Sequence, residues 1–421
     1  MANTMAIENK TILATGDSVV GRRKNTVASK LKSSGSLVLI AVMFIIGAVL
    51  ALSCGIPIKS VMGNYSYDVL VILIIMELFT NLIAETGIMQ LLAIKIAELS
   101  KGRKRLCLMM FSGMMFLISS CLNNITAVMM ILPIVFVLLK TLEVDKKYVC
   151  VFFAAILALS NTGGAASPVG DFPAIVIMTS GITSFLSYLT HAFPLFALTS
   201  LVLIAVWGMR VKKENDDGGI RKLAVTNLKS QYKNIEIRFD VLKWLGVVFV
   251  GMFLAWSFVP QNVMPPEVIA ILGYGAVMLI CSLKGLKVEQ KMDLKSVLTI
   301  ASFLFFAEVV SETGILSMVA GYLQANIANP KILVMAIMLI TSVVAGIFSA
   351  GPAAAAICAG SSLFMWSATA GFILSGKVNG AGVTDADGSN TSWGVAQYMK
   401  YGFVNYAIQI SIALLVMAII L

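Results

Sequence analysis

The run A-E-T-G-I at Ala84–Ile88 returns as S-E-T-G-I at Ser311–Ile315, 227 positions further along the chain. A shared four-letter string is weak by itself, but other landmarks travel at the same offset. The apolar run 37–55 falls on 264–282, the run 67–83 on 294–310, and N-N-I-T at 123–126 on A-G-P-A at 350–353. Landmarks of matching hydropathy at one offset describe an internal repeat. Beyond 353 the register slips, and Gly163, Gly164, Gly170 and Asp171 best match Ala381, Gly382, Gly388 and Ser389 at an offset of 218.

The repeat is embedded in an apolar chain. Of 421 residues, 59% are apolar and 12% charged, against about 25% charged in soluble proteins, and the mean hydropathy is +0.92. Five stretches (1–36, 95–105, 140–147, 210–243 and 284–295) hold 39 of the 52 Lys, Arg, Asp and Glu residues. The other 320 residues carry 13 charges, which at about 20 residues per span leaves room for roughly ten to twelve membrane segments. This excludes a soluble enzyme, a nucleic-acid binder and a single-anchor protein. The expected class is an all-α polytopic membrane protein whose partner is the lipid bilayer. Six scattered cysteines without a C-x-x-C pair read as buried small hydrophobes, and one histidine builds no metal cluster. No cofactor is expected.

Charge sorts these segments into a plan. Residues 1–36 read as a cytoplasmic polar tail, 37–209 as a first repeat, 210–242 as a basic cytoplasmic linker and 243–421 as a second repeat. The basic turn Lys101–Arg105 and the linker, with eight Lys and Arg over 210–240, belong inside by the positive-inside rule. The second ETGI turn has only Lys331 nearby, which inverts the second half relative to the first. The membrane is expected to be the cell's inner (plasma) membrane, with the N-terminus cytoplasmic.

Each half carries interruptions. Region 106–139 is basic at both ends and has Asn123 and Asn124 near its centre, as a re-entrant hairpin would. Region 148–183 is broken by N-T-G-G-A-A-S-P-V-G-D-F-P, Asn161–Pro173, whose glycines and prolines do not continue a helix. Irregular backbone at membrane depth is tolerated where it lines a cavity or is buried in protein, and paired interruptions in inverted halves point to a midplane site.

The polar residues at these breaks are the site candidates. Asn123, Asn124 and Thr126 offer oxygens that suit a hard cation such as sodium, or else hydrogen-bonding glue between helices. Asn161, Thr162 and Ser167 offer further ligands, and Gly163 and Gly164 permit close approach of a solute to the backbone. Asp171 reads either as a carboxylate for a cation or proton or as the cap of a helix starting at Phe172 or Pro173. In the second half the matching break is expected over Val378–Thr391, with Thr384, Asp385, Asp387 and Asn390; the alternative there is a solvated loop. Asn124 and Asn161 are the expected sodium ligands. Glu85 and Glu312 read as first-turn carboxylates of short helices, and Glu77 and Glu308 as structural or gating groups.

The stretch A-E-T-G-I-M-Q-L-L-A-I-K-I-A-E-L-S-K-G-R from Ala84, followed by C-L-N-N-I-T-A-V-M-M-I-L-P at Cys121–Pro133, resembles the ion transporter superfamily. That group includes arsenite permeases, the melanosomal P protein, sodium/proton antiporters, and citrate and dicarboxylate carriers. S-N-T-G-G-A-A-S-P-V-G-D-F-P at Ser160–Pro173 is similar to the family's N-I-G-G-x-x-T-P-I-G-D-P-P-N. Asn123 stands where the permease branch has Asp, Ala127 where it has Thr, Phe172 where it has Pro and Ala174 where it has Asn. The likeness is specific over about 70–210 and faint over 345–400, where the second tip, Ser349–Ala356, has neither Asn nor Thr.

The resemblance implies two hairpins and two broken helices around one central site, alternating access coupled to Na⁺ or H⁺, and a homodimer. The expected function is secondary active transport of a small carboxylate or inorganic oxyanion, with sodium/proton antiport as the alternative. A channel or a non-transporting membrane subunit is a further alternative. No G-K-[ST] phosphate loop is present for ATP-driven pumping.

Overall fold

A long apolar helix that meets Thr-Gly has a ready stop, because glycine enters the left-handed region without steric cost. Both ETGI copies use it. The computed structural model describes residues 35–211, 218–233, 236–288, 292, 294–348, 354–365, 367, 369–383 and 392–420. In it α3 (Tyr67–Glu85) ends before Gly87 at φ 77°, and α13 (Leu294–Glu312) ends before Gly314 at φ 73°. The two corners share their hydrogen bonds. Thr86 Oγ1 donates to Ile83 O at 2.7 Å and Thr313 Oγ1 to Val310 O at 2.6 Å. Each hydroxyl then accepts the amide that opens the next helix, Ile88 N or Ile315 N, both at 3.4 Å. Those next helices are α4 (Ile88–Leu99) and α14 (Ile315–Asn326), and the second corner turns by 57°.

Glu85 and Glu312 therefore close the preceding helix instead of opening the following one. A carboxylate at a helix C-terminus is disfavoured by the helix dipole. Glu312 is compensated by Ser60 Oγ at 3.1 Å and Asn64 Nδ2 at 2.7 Å, at the end of the short α2 (Ile58–Gly63).

The remaining helices are α1 (Gly35–Ser53), α5 (Lys104–Ser119), α6 (Asn124–Thr141), α7 (Lys146–Ala166), α8 (Phe172–Thr179) and α9 (Phe185–Arg210). After the linker helix α10 (Gly218–Gln231) come α11 (Phe239–Phe258), α12 (Pro266–Leu283), α15 (Pro330–Phe348), α16 (Ala354–Ser361), α17 (Thr369–Gly380) and α18 (Val395–Ile420). No strand occurs among the described residues, so the chain is an all-α polytopic membrane protein. Seven described helices are long and apolar enough to cross a bilayer, and eight spans result if the bent pair α13–α14 counts as one. To these the described residues add the shorter apolar stretches Ile40–Ser53 of α1 and Pro330–Val343 of α15, while the interrupted regions divide into pieces such as α8 and α16, each of 8 residues, about 12 Å long.

Packing crosses the halves reciprocally. First-half α1 lies against second-half α13, and second-half α12 lies against first-half α3. With α1–α3 and α11–α13 these contacts form one apolar core, containing Ile72, Phe79, Trp256 and Phe305. A second core joins α4–α7 and α10 to α16–α18. At its centre α7 is apolar on every face from Val149 to Leu159 and is buried throughout its spanning stretch, as a helix stretch without a polar face should be. By contrast α11 exposes Val247, Val250, Leu254 and Phe258, side chains that suit lipid.

The linker helix is clamped to the first half. Ala224 and Leu228 are fully buried, and Lys229 Nζ lies 2.6 Å from Glu98 Oε1 at the end of α4. The Lys229 bond is the main reason the Glu98 carboxyl titrates below the ordinary range. A lowered carboxyl pKa adds stability that is present above the unfolded value and lost as pH falls through the folded one. Lys229→Ala should therefore cost less than about 1 kcal/mol at neutral pH, as surface ion pairs do. That cost should vanish below the depressed pKa, which thermal denaturation at two pH values would read.

Candidate functional site

The hairpin apex is built by a cap. Asn123 Oδ1 accepts from Ile125 N at 3.0 Å and Thr126 N at 3.3 Å, satisfying two of the amides that every helix start leaves open. Its own amide donates to Thr80 Oγ1 of α3 at 3.3 Å, which pins the apex to the other core. Asn123 thus spends its oxygen on the fold, whereas the next residue does not. Asn124 is buried, and neither Nδ2 nor Oδ1 has a hydrogen-bond partner.

The second motif departs from expectation in its extent. Helix α7 runs through Asn161–Ala166, glycines included, and the break is confined to 167–171. The glycines are in the helix because neighbours come too close for a side chain. A Cβ on Gly164 would lie 2.6 Å from Asn124 Nδ2, 2.7 Å from its Oδ1 and 2.8 Å from Asp171 Cβ. One on Gly163 would run into the Phe116 carbonyl and sit 2.9 Å from Ser119 Cβ. Across the break Ser167 Oγ donates to Ser120 O at the hairpin turn. Asp171 caps α8, its Oδ1 accepting from Phe172 N at 2.9 Å.

These pieces converge on a small cavity of about 20 Å³ lined by Asn123, Asn124, Asp171, Phe172 and, from α3, Glu77. Val297 and Ile300 of α13 also line it. The cavity therefore lies on the seam between the two cores. About 10–15 Å³ suffices for one water, so this space suits one water or one bare cation and is far too small for a carboxylate substrate. Two helix starts, α6 and α8, and two carboxylates face it. From the sequence Glu77 reads as a structural or gating group and not as a site residue, because the repeat pairs it with Leu304 instead of another acid. The signal was its position as a carboxylate deep in an apolar run.

The other candidates divide. Thr126 follows Asn124 into the first turn of α6 and is half-buried. Asn161 is buried with its Nδ2 unpartnered. Thr162 is occupied elsewhere, bonding to Ala158 O and Leu159 O at 3.2 Å and accepting from Ser200 Oγ of α9 at 2.9 Å. Thr384, Asp385, Asp387 and Asn390 lie outside the described residues, as does the second tip over 350–353.

In the second half α16 ends at Ser361 and α17 begins at Thr369; α17 in turn ends at Gly380, inside the Val378–Thr391 stretch expected to be broken, of which 384–391 lie outside the described residues. The likeness of this half to the first appears in the closing helices. α9 and α18 are both 26 residues long, and their fourth residues, Tyr188 and Tyr398, play one part. Tyr188 Oη donates to Ala165 O at the end of α7 at 2.9 Å, and Tyr398 Oη to Ser362 O at the end of α16 at 2.8 Å. Each tyrosine satisfies a carbonyl that the broken helix leaves open.

Comparison with known proteins agrees with this architecture. A family model described as citrate transporter matches residues 27–375. A 46 kDa membrane protein of Mycobacterium leprae is 27% identical over 263 residues, covering 62% of this chain and 57% of that protein. A Mycobacterium tuberculosis protein named as an uncharacterized transporter is 24% identical over 254 residues, covering 60% and 57%. The mouse P protein is 29% identical over 114 residues, covering 27% of this chain and 13% of that protein. The matches thus span somewhat under three fifths of the length of the mycobacterial relatives.

Proposed function

This chain belongs to the citrate transporter family, and from that premise we propose that it is a secondary active transporter of a small carboxylate or inorganic oxyanion, driven by Na⁺ or H⁺. The observation that carries the reading is the cavity on the seam between the cores, where Asn124, Asp171 and Glu77 meet two helix starts. Its volume and its oxygens suit the coupling cation. The anion needs more room, which movement of one core against the other would open beside the same helix N-termini, where partial positive charge favours it. The reciprocal packing of α1 on α13 and α12 on α3 supports two halves of opposite orientation that rock about a fixed site. The basic turn and linker then face the cytoplasm.

Proteoliposomes test the reading. Labelled citrate or a dicarboxylate should exchange in counterflow, and an inward Na⁺ or H⁺ gradient should accelerate uptake. Asp171→Asn should remove at least about 90% of that acceleration, because the carboxylate that answers the cation's charge is gone. Steady conductance without counterflow would overturn the carrier reading. Two carboxylates around a cation-sized space favour a second reading, sodium/proton antiport. It predicts Na⁺ uptake against an outward proton gradient with no organic or oxyanion substrate present.

A further inference from the structure

Away from the cavity, basic side chains line a cleft between the linker helix and the turn that joins α4 to α5. It measures about 510 Å³ and is lined by Lys101, Arg103, Arg221, Lys222 and Lys229, with Glu98 as the one acidic side chain among the described residues of its wall. Glu98 is already engaged by Lys229 at 2.6 Å and Lys95 at 3.5 Å. Positive-inside bias accounts for basic residues on this face. It does not account for their convergence across more than a hundred positions of sequence into one cleft.

The walls are held in place. Ala224 and Leu228 anchor α10 with no exposed surface. The turn presses so closely on α10 that a Cβ on Gly102 would lie 3.2 Å from both Arg221 Cβ and Arg221 O. Lys101 adopts φ 52°, a left-handed conformation uncommon outside glycine. Gly218 at the start of α10 also lines the cleft, and no acidic side chain occupies that helix's first turn. The fold therefore gathers five basic side chains, Lys229 paired with Glu98 among them, around one fixed concavity, where their summed positive charge attracts a multivalent anion.

We propose that this cleft binds a phosphate-type anion, presented either as the headgroup of an anionic phospholipid or as free phosphate, and so fastens the linker to the first half. The site's cations are split between the α4–α5 turn and the linker, so the bound anion bridges two segments of sequence. The inference is independent of the transport reading, since it concerns a different site and is measured without flux.

The test uses the full chain purified in neutral detergent, with thermal stability as the readout. Phosphatidylglycerol added to the micelles should raise Tm saturably by about 3–6 °C over phosphatidylcholine, because a ligand selective for the folded state shifts its apparent stability. Inorganic phosphate against sodium chloride of equal ionic strength distinguishes the sources: a saturable rise with phosphate assigns a free anion, and a rise with phosphatidylglycerol alone assigns the lipid headgroup. Arg221→Gln with Lys222→Gln should abolish the rise, while Lys284→Gln with Lys287→Gln, in another basic stretch, should leave it intact. Should the double variant fail to fold, Lys222→Gln alone alters an exposed side chain and should weaken half-saturation about 5-fold. No rise with either anion, or equal loss in both pairs of variants, would overturn the proposal.

Discussion

Asn124→Ala should lower cation-dependent uptake about 10–100-fold while leaving the folded protein as stable as before, within about 1 kcal/mol. Truncating a buried side chain usually costs stability, but this side chain is a burden to the fold. Both atoms of the Asn124 amide are buried without a hydrogen-bond partner, and such a group costs about 1–3 kcal/mol to leave unmade. Removing it relieves that cost and offsets the lost packing. The same atoms face the cavity beside Asp171, where a cation would satisfy Oδ1, and a hydrogen bond or ligand contact to a charged group is worth about 1.5–3 kcal/mol. Asn123→Ala should behave in the opposite way. Its oxygen caps α6 through Ile125 N and Thr126 N, so its loss should cost about 1 kcal/mol of stability and weaken uptake less. Uptake per folded molecule in proteoliposomes, set beside thermal denaturation, separates the two. If Asn124→Ala unfolds at markedly lower temperature yet transports normally, the assignment of Asn124 fails.

That contrast marks how far the sequence could be read. Polar residues in an apolar run announce themselves, so Asn123, Asn124, Asn161 and Asp171 were all legible as candidates. What each oxygen does was not, because neighbouring residues on one turn point in different directions. Asn123 turns back to its own helix start and Asn124 turns to the cavity, while Thr162 donates its hydroxyl to its own helix and accepts from Ser200. Glu77 reaches the cavity from a helix in the other core, and that meeting is tertiary. Symmetry highlights what both halves keep, and Glu77, whose counterpart in the repeat is Leu304, breaks it.

The same limit governs the fold. The ETGI offset located both helix-ending corners, because an αL glycine after a threonine is a local signal with a local cause. The broken segments were harder. Gly163 and Gly164 have low helix propensity, about 1 kcal/mol each below alanine, and reading them as breakers is reasonable until the packing is known. Tertiary contact overrides propensity there, with α5 and Asn124 occupying the space that side chains would fill. In the second half the end of α16 is marked by Tyr398, which caps the Ser362 carbonyl. A carbonyl capped by a side chain 36 positions away leaves no mark in a local window.

The two glycines lead to the other large effect, a pair of adjacent substitutions with opposite consequences. Gly163→Ala places its methyl against the Phe116 carbonyl and Ser119 Cβ, on the interface between α7 and α5. Backbone on that side gives way only by separating two helices that pack along their length. Overpacking of this kind costs about 1–3 kcal/mol, more than the helix-propensity gain from removing a glycine repays. Gly164→Ala points its methyl at the Asn124 amide and Asp171 Cβ instead. The amide is the end of a side chain and can swing away, so the fold should stay within about 1 kcal/mol of the parent. Swinging away takes Asn124 from the position it holds beside Asp171, and a displacement of about 1 Å at a reacting or binding centre can cost about 100-fold. The expected result is therefore a lowered Tm with near-normal uptake per folded molecule for Gly163→Ala, and a near-normal Tm with uptake reduced about 100-fold for Gly164→Ala. Should the two variants lose stability and uptake in parallel, both glycines serve packing alone and the cavity beside Gly164 is not where the cation binds.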